Sequence, residues 1–417
     1  MHFLRLLSIP ALTTAFVAVP VLWALPQGLA FWRTLAIVLG WGGCGLLLAS
    51  LLLMLRETAL AHSFGGLERM YRWHHIVGVG AYLLLLAHPL ALAADAWRES
   101  PHLAWQMLSP ASQGWPVWLG WISLLFLMSG LAATFSSKVP YRTWRWLHGL
   151  LSVGVLFGML HLVLLGISEA VIAAVLLAVL LLAWRLIRVD LGTAARPFVV
   201  QSVDRIADAA VEIALRPLSA PVASAAGQFV LVAFFNGATF RGCREYHPFT
   251  VSSIHPDGQI SIGVKSLGDC TQMIQSVEVG VAARVHGPFG VFLAERPPGP
   301  ELWVAGGIGI TPFIALLRES SPRWPITLLY LYRRETDAAF LNELRTLAAA
   351  APLLSLNAVA TGDDLPDLPS ILPDSATLSG RHCYLCGPPA LITGATRVLV
   401  ERGVKADHIH FERFDFR

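Results

Sequence analysis

Two stretches in the first half of the chain decide the fold: residues 72–90, RWHHIVGVGAYLLLLAHPL, and residues 145–165, RWLHGLLSVGVLFGMLHLVLL. Each stretch is mostly apolar over the roughly 20 residues that a helix needs to cross a bilayer. Each also carries one histidine near either end, giving the set His74, His88, His148 and His161. Ligating side chains inside such spans are rare and usually functional. The two stretches therefore predict a membrane bundle with metal-binding helices.

Four further apolar runs bring the number of predicted spans to six. With soft edges, the six predicted spans cover residues 8–26, 32–55, 75–95, 115–135, 145–166 and 168–187. The first run resembles a signal peptide, but it is uncharged from Leu6 to Trp32 and further spans follow, so we interpret it as a helix. We expect residues 1–190 to form a six-helix all-α transmembrane domain in a lipid bilayer.

Charge is distributed unevenly between the two parts of the chain. The 417 residues are 55% hydrophobic and 14% charged, whereas soluble domains average about 25% charged residues. Residues 1–188 hold 11 Lys and Arg against 5 Asp and Glu, and the remainder holds 19 against 22. This composition disfavours a purely soluble enzyme. The net charge of +3 is too small, and lies too much at membrane edges, to indicate nucleic-acid binding.

The basic residues of the loops predict the orientation in the membrane. With the N-terminus inside, nine basic residues are cytoplasmic: Arg5, Arg56, Arg69, Arg72, Lys138, Arg142, Arg145, Arg185 and Arg188. Only Arg33 and Arg98 then lie outside. The positive-inside rule favours this orientation. We therefore expect a multi-pass protein of the inner (plasma) membrane whose N-terminus and second half are cytoplasmic.

The histidine spacings bear on what the helices bind. His74 and His88 are 14 residues apart, which is about 21 Å of rise and within about 40° of one helix face. His148 and His161 are 13 apart, which requires a local distortion or ligands that approach from different sides. The alternative interpretation is that all four are packing or interfacial histidines, as we expect for His75.

Four imidazoles without thiolate or carboxylate suit two six-coordinate haems better than zinc. The chain has no CxxCH motif for covalent attachment, so the haems would be of b type. Room for flat macrocycles against the backbone would come from four glycines, Gly78, Gly80, Gly149 and Gly154.

After residue 190 the pattern changes to short alternating strands: PFVVQSV, AAVEIALRP, GQFVLVAF, HPFTVSSI and ISIGVKS. This pattern predicts a small antiparallel β-barrel over residues 191–297. From about residue 299 strands and helices alternate, which predicts an α/β nucleotide-binding domain over residues 298–417. The chain is therefore expected to be a multi-domain membrane protein.

A glycine run occupies the first strand-to-helix junction of the α/β domain. Its members are Gly306, Gly307, Gly309, Thr311 and Pro312. Glycines there allow the backbone to approach a pyrophosphate, and the helix N-terminus supplies free N–H groups. The run departs from G-x-G-x-x-G, and a tight packing turn is the alternative.

Several short motifs follow one another in a characteristic order. They are His247-Pro248-Phe249-Thr250, Lys265 with Gly268-Asp269-Cys270-Thr271, Gly287-Pro288-Phe289-Gly290, the Gly306–Pro312 loop, and Cys386-Gly387-Pro388. This set resembles the ferredoxin–NADP reductase type of FAD/NAD(P)H module. Joined to a six-helix bundle with two histidine pairs, the chain resembles the ferric reductase and NADPH oxidase superfamily, close to the bacterial NADPH oxidases.

The resemblance implies the cofactors FAD, two haem b and NADPH, and it implies where the nucleotides bind. His247 to Thr250 would lie along the flavin, with the Thr250 hydroxyl near its reactive nitrogen, and Lys265 belongs to the same site. Gly268 to Thr271 would open a helix onto the FAD pyrophosphate, although the same residues could be an ordinary N-cap. Gly306–Pro312 would bind the dinucleotide phosphates.

The end of the chain completes the implied site. Cys386, Gly387 and Pro388 would lie by the nicotinamide, where the cysteine could simply fill space. Phe416 would stack on the flavin as the terminal aromatic, which makes Thr250, Cys386 and Phe416 the expected catalytic residues. A strand with core-facing rings is the alternative for Phe416.

Arg333 and Arg334 end the second predicted strand of the nucleotide domain. Arginine suits a 2′-phosphate, whereas an acidic residue would bind a ribose hydroxyl, so we expect NADPH. The neighbouring Glu335 leaves NADH open.

The implied order of electron carriers is NADPH, FAD, an inner haem on His74 and His148, an outer haem on His88 and His161, and an external acceptor. Dioxygen giving superoxide is the first expectation for the acceptor, with Arg33 as a candidate cation beside it; a snorkelling arginine is the alternative. A ferric chelate or a periplasmic redox partner remains open, as does the oligomeric state.

Overall fold

The computed structural model describes residues 2–136, 139–294, 296–363 and 366–412. The chain divides into two compact units, the first ending at Gly192 and the second beginning at Thr193.

The first unit is entirely helical. Its helices are α1 (His2–Ala24), α2 (Phe31–Leu53), α3 (Thr58–Ser63), α4 (Leu67–Trp97), α5 (Pro101–Leu108), α6 (Trp115–Phe135), α7 (Tyr141–Leu165) and α8 (Glu169–Arg185). In the described part of the chain, six of them (all except α3 and α5) are long and apolar enough to cross a membrane. Serine hydroxyls cap two starts: Ser100 accepts from Leu103 N–H at 3.2 Å, and Ser168 accepts from Val171 N–H at 3.3 Å.

The outer surface of this unit is apolar. Leu22 of α1 is 79% exposed, Leu125 of α6 is 60% exposed and Leu176 of α8 is 65% exposed. A soluble protein would bury such side chains, whereas hydrocarbon solvates them. The first unit therefore forms a multi-pass transmembrane domain, as predicted. Inside it, α2 packs along α4 and α6 packs along α7.

The second unit begins with a closed antiparallel barrel. Its strands are β1 (Arg196–Ala207), β2 (Ala210–Pro217), β3 (Phe229–Phe234), β4 (His247–Ile254), β5 (Ile260–Lys265) and β6 (Ala282–Phe289), in the order β1-β2-β5-β4-β3-β6. The short helix α9 (Asp269–Ile274) follows β5. The predicted barrel is confirmed, but its sixth strand is additional. The sequence of β6, AARVHGPF, has few large apolar residues to mark it as a strand.

A five-stranded parallel sheet follows, in the order β11-β10-β7-β8-β9. Its strands are β7 (Glu301–Gly306), β8 (Ile326–Tyr332), β9 (Leu354–Ala360), β10 (His382–Cys386) and β11 (Ile409–Glu412). Its helices are α10 (Thr311–Glu319), α11 (Leu341–Ala350), α12 (Leu368–Ile371), α13 (Ser375–Leu378) and α14 (Pro389–Glu401). All six residues of β7 are buried, as expected for a central parallel strand.

Arg318 of α10 joins the sheet to the barrel. Its guanidinium contacts Glu212 of β2 at 2.6 Å and Glu343 of α11 at 2.7 Å. The same group donates to the carbonyl oxygen of Ser252 in β4 at 3.1 Å. This network fixes the first helix of the nucleotide domain against the barrel, and so helps to position the loop at its start.

Candidate functional site

The two histidines near the starts of α4 and α7 form an inner pair. His74 Nδ1 lies 2.8 Å from Ser50 Oγ and 3.1 Å from the Ser50 carbonyl oxygen. His148 Nδ1 lies 3.2 Å from Thr134 Oγ1, whose own hydrogen is donated to the Gly130 carbonyl. The ring centroids of His74 and His148 are 6.0 Å apart.

The two histidines farther along these helices are held by backbone carbonyls. His88 Nδ1 lies 2.7 Å from the Ala36 oxygen, and His161 Nδ1 lies 2.8 Å from the Pro116 oxygen. A carbonyl only accepts, so Nδ1 carries the proton in both rings. The nitrogen that remains to bind a metal is therefore Nε2, and metal-binding histidines usually have this arrangement.

A glycine lies against each of these outer rings. A Cβ at Gly40 would meet His88 Nδ1 at 3.0 Å, and a Cβ at Gly120 would meet the His161 ring at 3.1 Å. Each glycine lies four residues after the residue whose carbonyl accepts the histidine proton. One turn of helix thus supplies both the acceptor and the space for the imidazole.

The two helix pairs repeat one design with different spacing. In each pair the preceding membrane-spanning helix supplies one acceptor near its start and another near its end. The anchors Ala36 and Ser50 belong to α2, and Pro116 and Thr134 belong to α6. The helix α7 is α-helical throughout Tyr141–Leu165, and both of its histidines contact α6, so the 13-residue spacing needs no break in the helix.

The spacing of the inner pair fits a metal ion between the two rings. Two imidazoles that bind one metal ion from opposite sides, at about 2 Å per bond, have centroids about 6 Å apart, and those of His74 and His148 are 6.0 Å apart. Two of the glycines that were expected to leave room for a macrocycle differ in their surroundings. A Cβ at Gly149 would meet nothing within 4 Å, but one at Gly154 would meet Phe126 Cβ at 3.0 Å, so Gly154 serves helix packing.

The glycine loop after β7 meets the end of β10. A Cβ at Gly309 would lie 2.3 Å from the Cys386 carbonyl oxygen, and one at Gly306 would lie 2.9 Å from Pro388 Cδ. Gly387 has φ of +157°, and a Cβ there would lie 3.0 Å from Gly306 N. Two predicted motifs, 306–312 and 386–388, are therefore brought together at the carboxyl edge of the sheet, where nucleotides bind in such folds.

Lys265, at the end of β5, reaches the same loop from the barrel. Its Nζ lies 3.5 Å from the position of a Cβ on Gly307. Thr311 opens α10 and donates to the Ile308 carbonyl at 2.6 Å, and Pro312 follows it at the second helical position. The loop is thus held by its own hydroxyl and has a cation beside it.

Cys386 is buried beside a carboxylate that the sequence analysis did not single out. It is fully buried and pairs in register with Glu412 of β11, itself 6% exposed. Burial, and secondarily the Glu412 carboxylate, raises the pKa of the Cys386 thiol well above its usual value. The thiol is therefore neutral, and Glu412 becomes a further candidate at this site. A buried acidic residue in a C-terminal strand is the signal that could have identified it.

The flavin-side residues occupy β4 and the loop before α9. Thr250 is 6% exposed and pairs with Phe229 of β3, Phe249 is buried, and Pro248 is half-buried. The His247 ring faces Cys243, with Nε2 3.5 Å from Sγ.

Gly268 and Asp269 begin α9, and Thr271 Oγ1 accepts from the N–H groups of Leu267 and Gly268 at 2.9 and 3.0 Å. The segment therefore opens a helix, as predicted, with Gly268 as its N-cap. Its use in binding a pyrophosphate stays a prediction.

Arg333 and Arg334 follow β8, as predicted. Both are exposed, and Arg334 lies 3.6 Å from Asp363. Glu335 makes a 2.7 Å ion pair with Arg345. Phe416 lies outside the described residues.

The anchors of the histidines are the main residues that the sequence analysis missed. Two are carbonyls, which carry no side-chain signal, and Ser50, Thr134, Gly40 and Gly120 are common residue types in membrane helices. Only the fold identifies them.

Comparisons with known proteins match three successive parts of the chain. A family model described as a ferric reductase like transmembrane component matches residues 39–159. A model of an FAD-binding domain matches residues 197–301, and a model of an oxidoreductase NAD-binding domain matches residues 303–397.

The chain is also similar to curated reductases. It is 29% identical over 211 residues to the ferredoxin–NAD(P)(+) reductase component of the naphthalene 1,2-dioxygenase/salicylate 5-hydroxylase systems of Ralstonia sp, covering 47% of this chain and 62% of the relative. It is 33% identical over 171 residues to the carnitine monooxygenase reductase subunit of Escherichia coli strain K12, covering 39% and 51%. The chain thus spans about half to three fifths of these relatives.

Among solved structures, the FAD/NAD-binding domain of nitric oxide dioxygenase from Vibrio cholerae aligns with a TM-score of 0.45 and 21% identity. The alignment covers 52% of this chain and 97% of that domain.

Proposed function

We propose that the chain transfers electrons from cytoplasmic NADPH across the plasma membrane to dioxygen, giving superoxide. The chain has the three-domain architecture of the ferric reductase and NADPH oxidase superfamily, and it is an NAD(P)H oxidoreductase. The observation that carries this proposal is the set of four intramembrane histidines whose Nδ1 atoms are all held by hydrogen bonds. Such fixed rings suit stable metal ligation.

The reductase unit would take up the reducing equivalents. FAD, when bound, accepts a hydride and passes electrons on singly. His247 to Thr250, Lys265 and the segment 268–271 would hold it, and the buried Thr250 would place its hydroxyl toward the ring. The cradle of Gly306, Gly309 and Gly387, which any Cβ would fill, suits close approach of the nucleotide phosphates.

The nicotinamide ring of the coenzyme would lie beside the segment from Cys386 to Pro388. The neutral Cys386 thiol is fully buried beneath this turn, with Glu412 paired beside it in β11. Phe416 would cover the flavin until nicotinamide displaces it. Reacting atoms must come within about 3–3.5 Å, so a ring at that place competes with the substrate.

The coenzyme would be NADPH. Arg333 and Arg334 offer guanidinium groups for a 2′-phosphate. Glu335, the residue that left NADH open in the sequence, is engaged by Arg345 at 2.7 Å, which supports the arginines as the recognition groups.

The membrane unit would hold two b-type haems, the inner one on His74 and His148 and the outer one on His88 and His161. These groups, when bound, would carry single electrons across the bilayer. The excess of basic residues in alternate loops supports a cytoplasmic N-terminus. Negative charge moving outward across an inside-negative membrane is favoured by about 2.3 kcal/mol per 100 mV.

Dioxygen needs only an exposed edge of the outer group and a nearby cation to stabilise the anionic product. Arg33 supports this assignment because it is exposed at the start of α2, one helical turn from the residue whose carbonyl holds His88. A ferric chelate or a periplasmic redox partner could use the same edge.

The test is NADPH oxidation by the purified full chain in proteoliposomes. NADPH is added on the side of the reductase unit, and each acceptor is supplied on the opposite side of the membrane. In air we expect superoxide formation, measured as cytochrome c reduction that superoxide dismutase suppresses. Under anaerobic conditions we expect slow turnover with a ferric chelate. Faster anaerobic turnover with the chelate would assign the chain to ferric reduction instead. Slow turnover with both would point to a partner protein.

A further inference from the structure

Three ligating side chains meet in the reductase unit, where two segments expected to hold FAD lie close to the loop after β3. Cys243 Sγ, a His247 imidazole nitrogen and Cys270 Sγ all lie within 4.8 Å of one another. They come from separate segments: the loop after β3, the first residue of β4, and the second residue of α9. All three residues are half-buried. We call them the thiol–imidazole cluster.

The distances match those of a tetrahedral metal site. Cys243 Sγ and His247 Nε2 are 3.5 Å apart. With a zinc–sulfur bond of about 2.3 Å and a zinc–nitrogen bond of about 2.0–2.1 Å, two tetrahedral ligands lie about 3.6 Å from each other. Glu245 Oε2 lies 4.0 Å from Cys270 Sγ but does not belong to the thiol–imidazole cluster, so the fourth tetrahedral position is left to a water molecule.

The loop that carries Cys243 is held in a fixed conformation. Arg244 has φ of +57°, a left-handed conformation that is uncommon for a residue other than glycine. Its N–H donates to the Phe234 carbonyl at 3.2 Å, and the Gly242 N–H donates to Asn236 Oδ1 at 3.2 Å. The turn between Cys243 and His247 is therefore built by the backbone rather than by chance contact of exposed side chains.

We propose that Cys243, His247 and Cys270 bind a zinc ion, and that this ion competes with FAD. Two cysteines and one histidine are suitable zinc ligands, and such a site leaves the fourth position to water. The competition rests on the proposed function, since His247 and Cys270 both belong to segments expected to contact FAD. A ring bound to zinc through Nε2 cannot also pack freely along the flavin. By linkage, FAD weakens zinc binding by the same factor.

The metal site is tested on the full chain, purified in detergent through a tag without histidines, reduced, and stripped with a chelator. Zinc is added, and the metal retained per chain after gel filtration is measured by mass spectrometry. We expect one tightly held zinc in the FAD-free protein. Loss of a residue that only hydrogen-bonds to a metal ligand costs about 10–100-fold in metal affinity. Loss of a ligand should cost more, so Cys243→Ser and Cys270→Ser are each expected to lower zinc affinity by at least about 100-fold.

Two control variants address other imidazoles. His255→Gln removes an exposed histidine of the same barrel. His408→Gln removes a ring stacked 4.2 Å from that of His382 in the nucleotide domain. Neither should change the stoichiometry. If zinc is lost with His408→Gln and kept with both cysteine variants, the cluster proposal is wrong.

Thiol alkylation gives a second readout on the unchanged chain. Peptide mass spectrometry should show that zinc protects Cys243 and Cys270 together, while the buried Cys383 and Cys386 stay unreacted with and without the metal and so report that the protein is folded. Equal alkylation of Cys243 and Cys270 with and without zinc overturns the site even if the serine variants fail to fold.

The competition is tested by counting FAD that remains bound after gel filtration, with and without saturating zinc. We expect zinc to lower FAD retention in the parent chain and to have no effect in Cys243→Ser. Unchanged retention overturns the competition. If no FAD is retained even without zinc, the proposed function fails, whereas zinc stoichiometry and thiol protection still decide the metal site.

Discussion

The membrane unit and the reductase unit build their candidate sites in opposite ways. In the membrane unit, four histidine side chains are the site, and the neighbouring helices hold them through carbonyls and hydroxyls. In the reductase unit, the backbone is the site: Gly306, Gly309 and Gly387 bring two loops so close that a Cβ has no room.

This difference follows from what each site would bind. A transition-metal ion prefers nitrogen or sulfur lone pairs at fixed positions, and those come from side chains. A phosphate needs several N–H groups at close range, which side chains would obstruct. Removing a side chain should therefore damage the first site, and adding one should damage the second.

The largest effect is expected for Gly309→Val. The new Cβ would meet the Cys386 carbonyl at 2.3 Å, so the two loops must separate, and a misplacement of about 1 Å can cost about 100-fold in rate. We expect NADPH-driven haem reduction to fall by about that factor, measured by stopped-flow absorbance, while dithionite still reduces the full haem content. Ile308→Val in the same loop is the control. Comparable rates for the two variants would contradict a backbone-built site.

The complementary change in the membrane unit is His88→Leu. It removes one ligand of the outer pair, so about half of the low-spin haem signal should be lost in the reduced-minus-oxidised spectrum. His75→Leu changes a neighbouring histidine outside the two pairs and should keep the full signal. A His88→Leu protein with complete haem content would rule out the pairing.

Smaller effects should distinguish the anchors of the inner histidines. Thr134→Val removes the acceptor of His148 Nδ1, and loss of such a partner costs about 10–100-fold in metal affinity. Ser50→Ala should cost less, because the Ser50 carbonyl remains 3.1 Å from His74 Nδ1. Haem retention during dilution measures both. Ser129→Ala, an exposed hydroxyl on α6, should have no effect, and equal losses in all three variants would indicate a general packing defect.

The smallest effect is expected for the double variant Arg333→Ala, Arg334→Ala. Both side chains are exposed and screened by solvent, so the ratio of kcat/KM for NADPH to that for NADH should fall only about fivefold. Arg216→Ala, on the barrel, should leave the ratio unchanged. An unaltered ratio in the double variant would mean that other groups recognise the 2′-phosphate.

Much of this molecule could be predicted because its patterns are local. Apolar runs of about 20 residues are sufficient to indicate spans, and alternating strands indicated the barrel. Strand β6 was missed because Arg284, His286 and Gly287 interrupt its apolar character. The glycines that contact the outer histidines were missed for another reason: Gly40 is 48 positions from His88, and Gly120 is 41 from His161.

The sequence by itself determined the two-part organisation, the six spans, the barrel and the α/β sheet, because each follows from hydrophobic periodicity along a short segment. It also indicated the four histidines, since such side chains are expensive to bury in lipid. Only the tertiary structure decided which carbonyl or hydroxyl holds each ring, that Glu412 lies beside Cys386, and that Cys243, His247 and Cys270 converge. These contacts join residues distant in the chain, so they depend on helix packing and strand order, which no local pattern encodes.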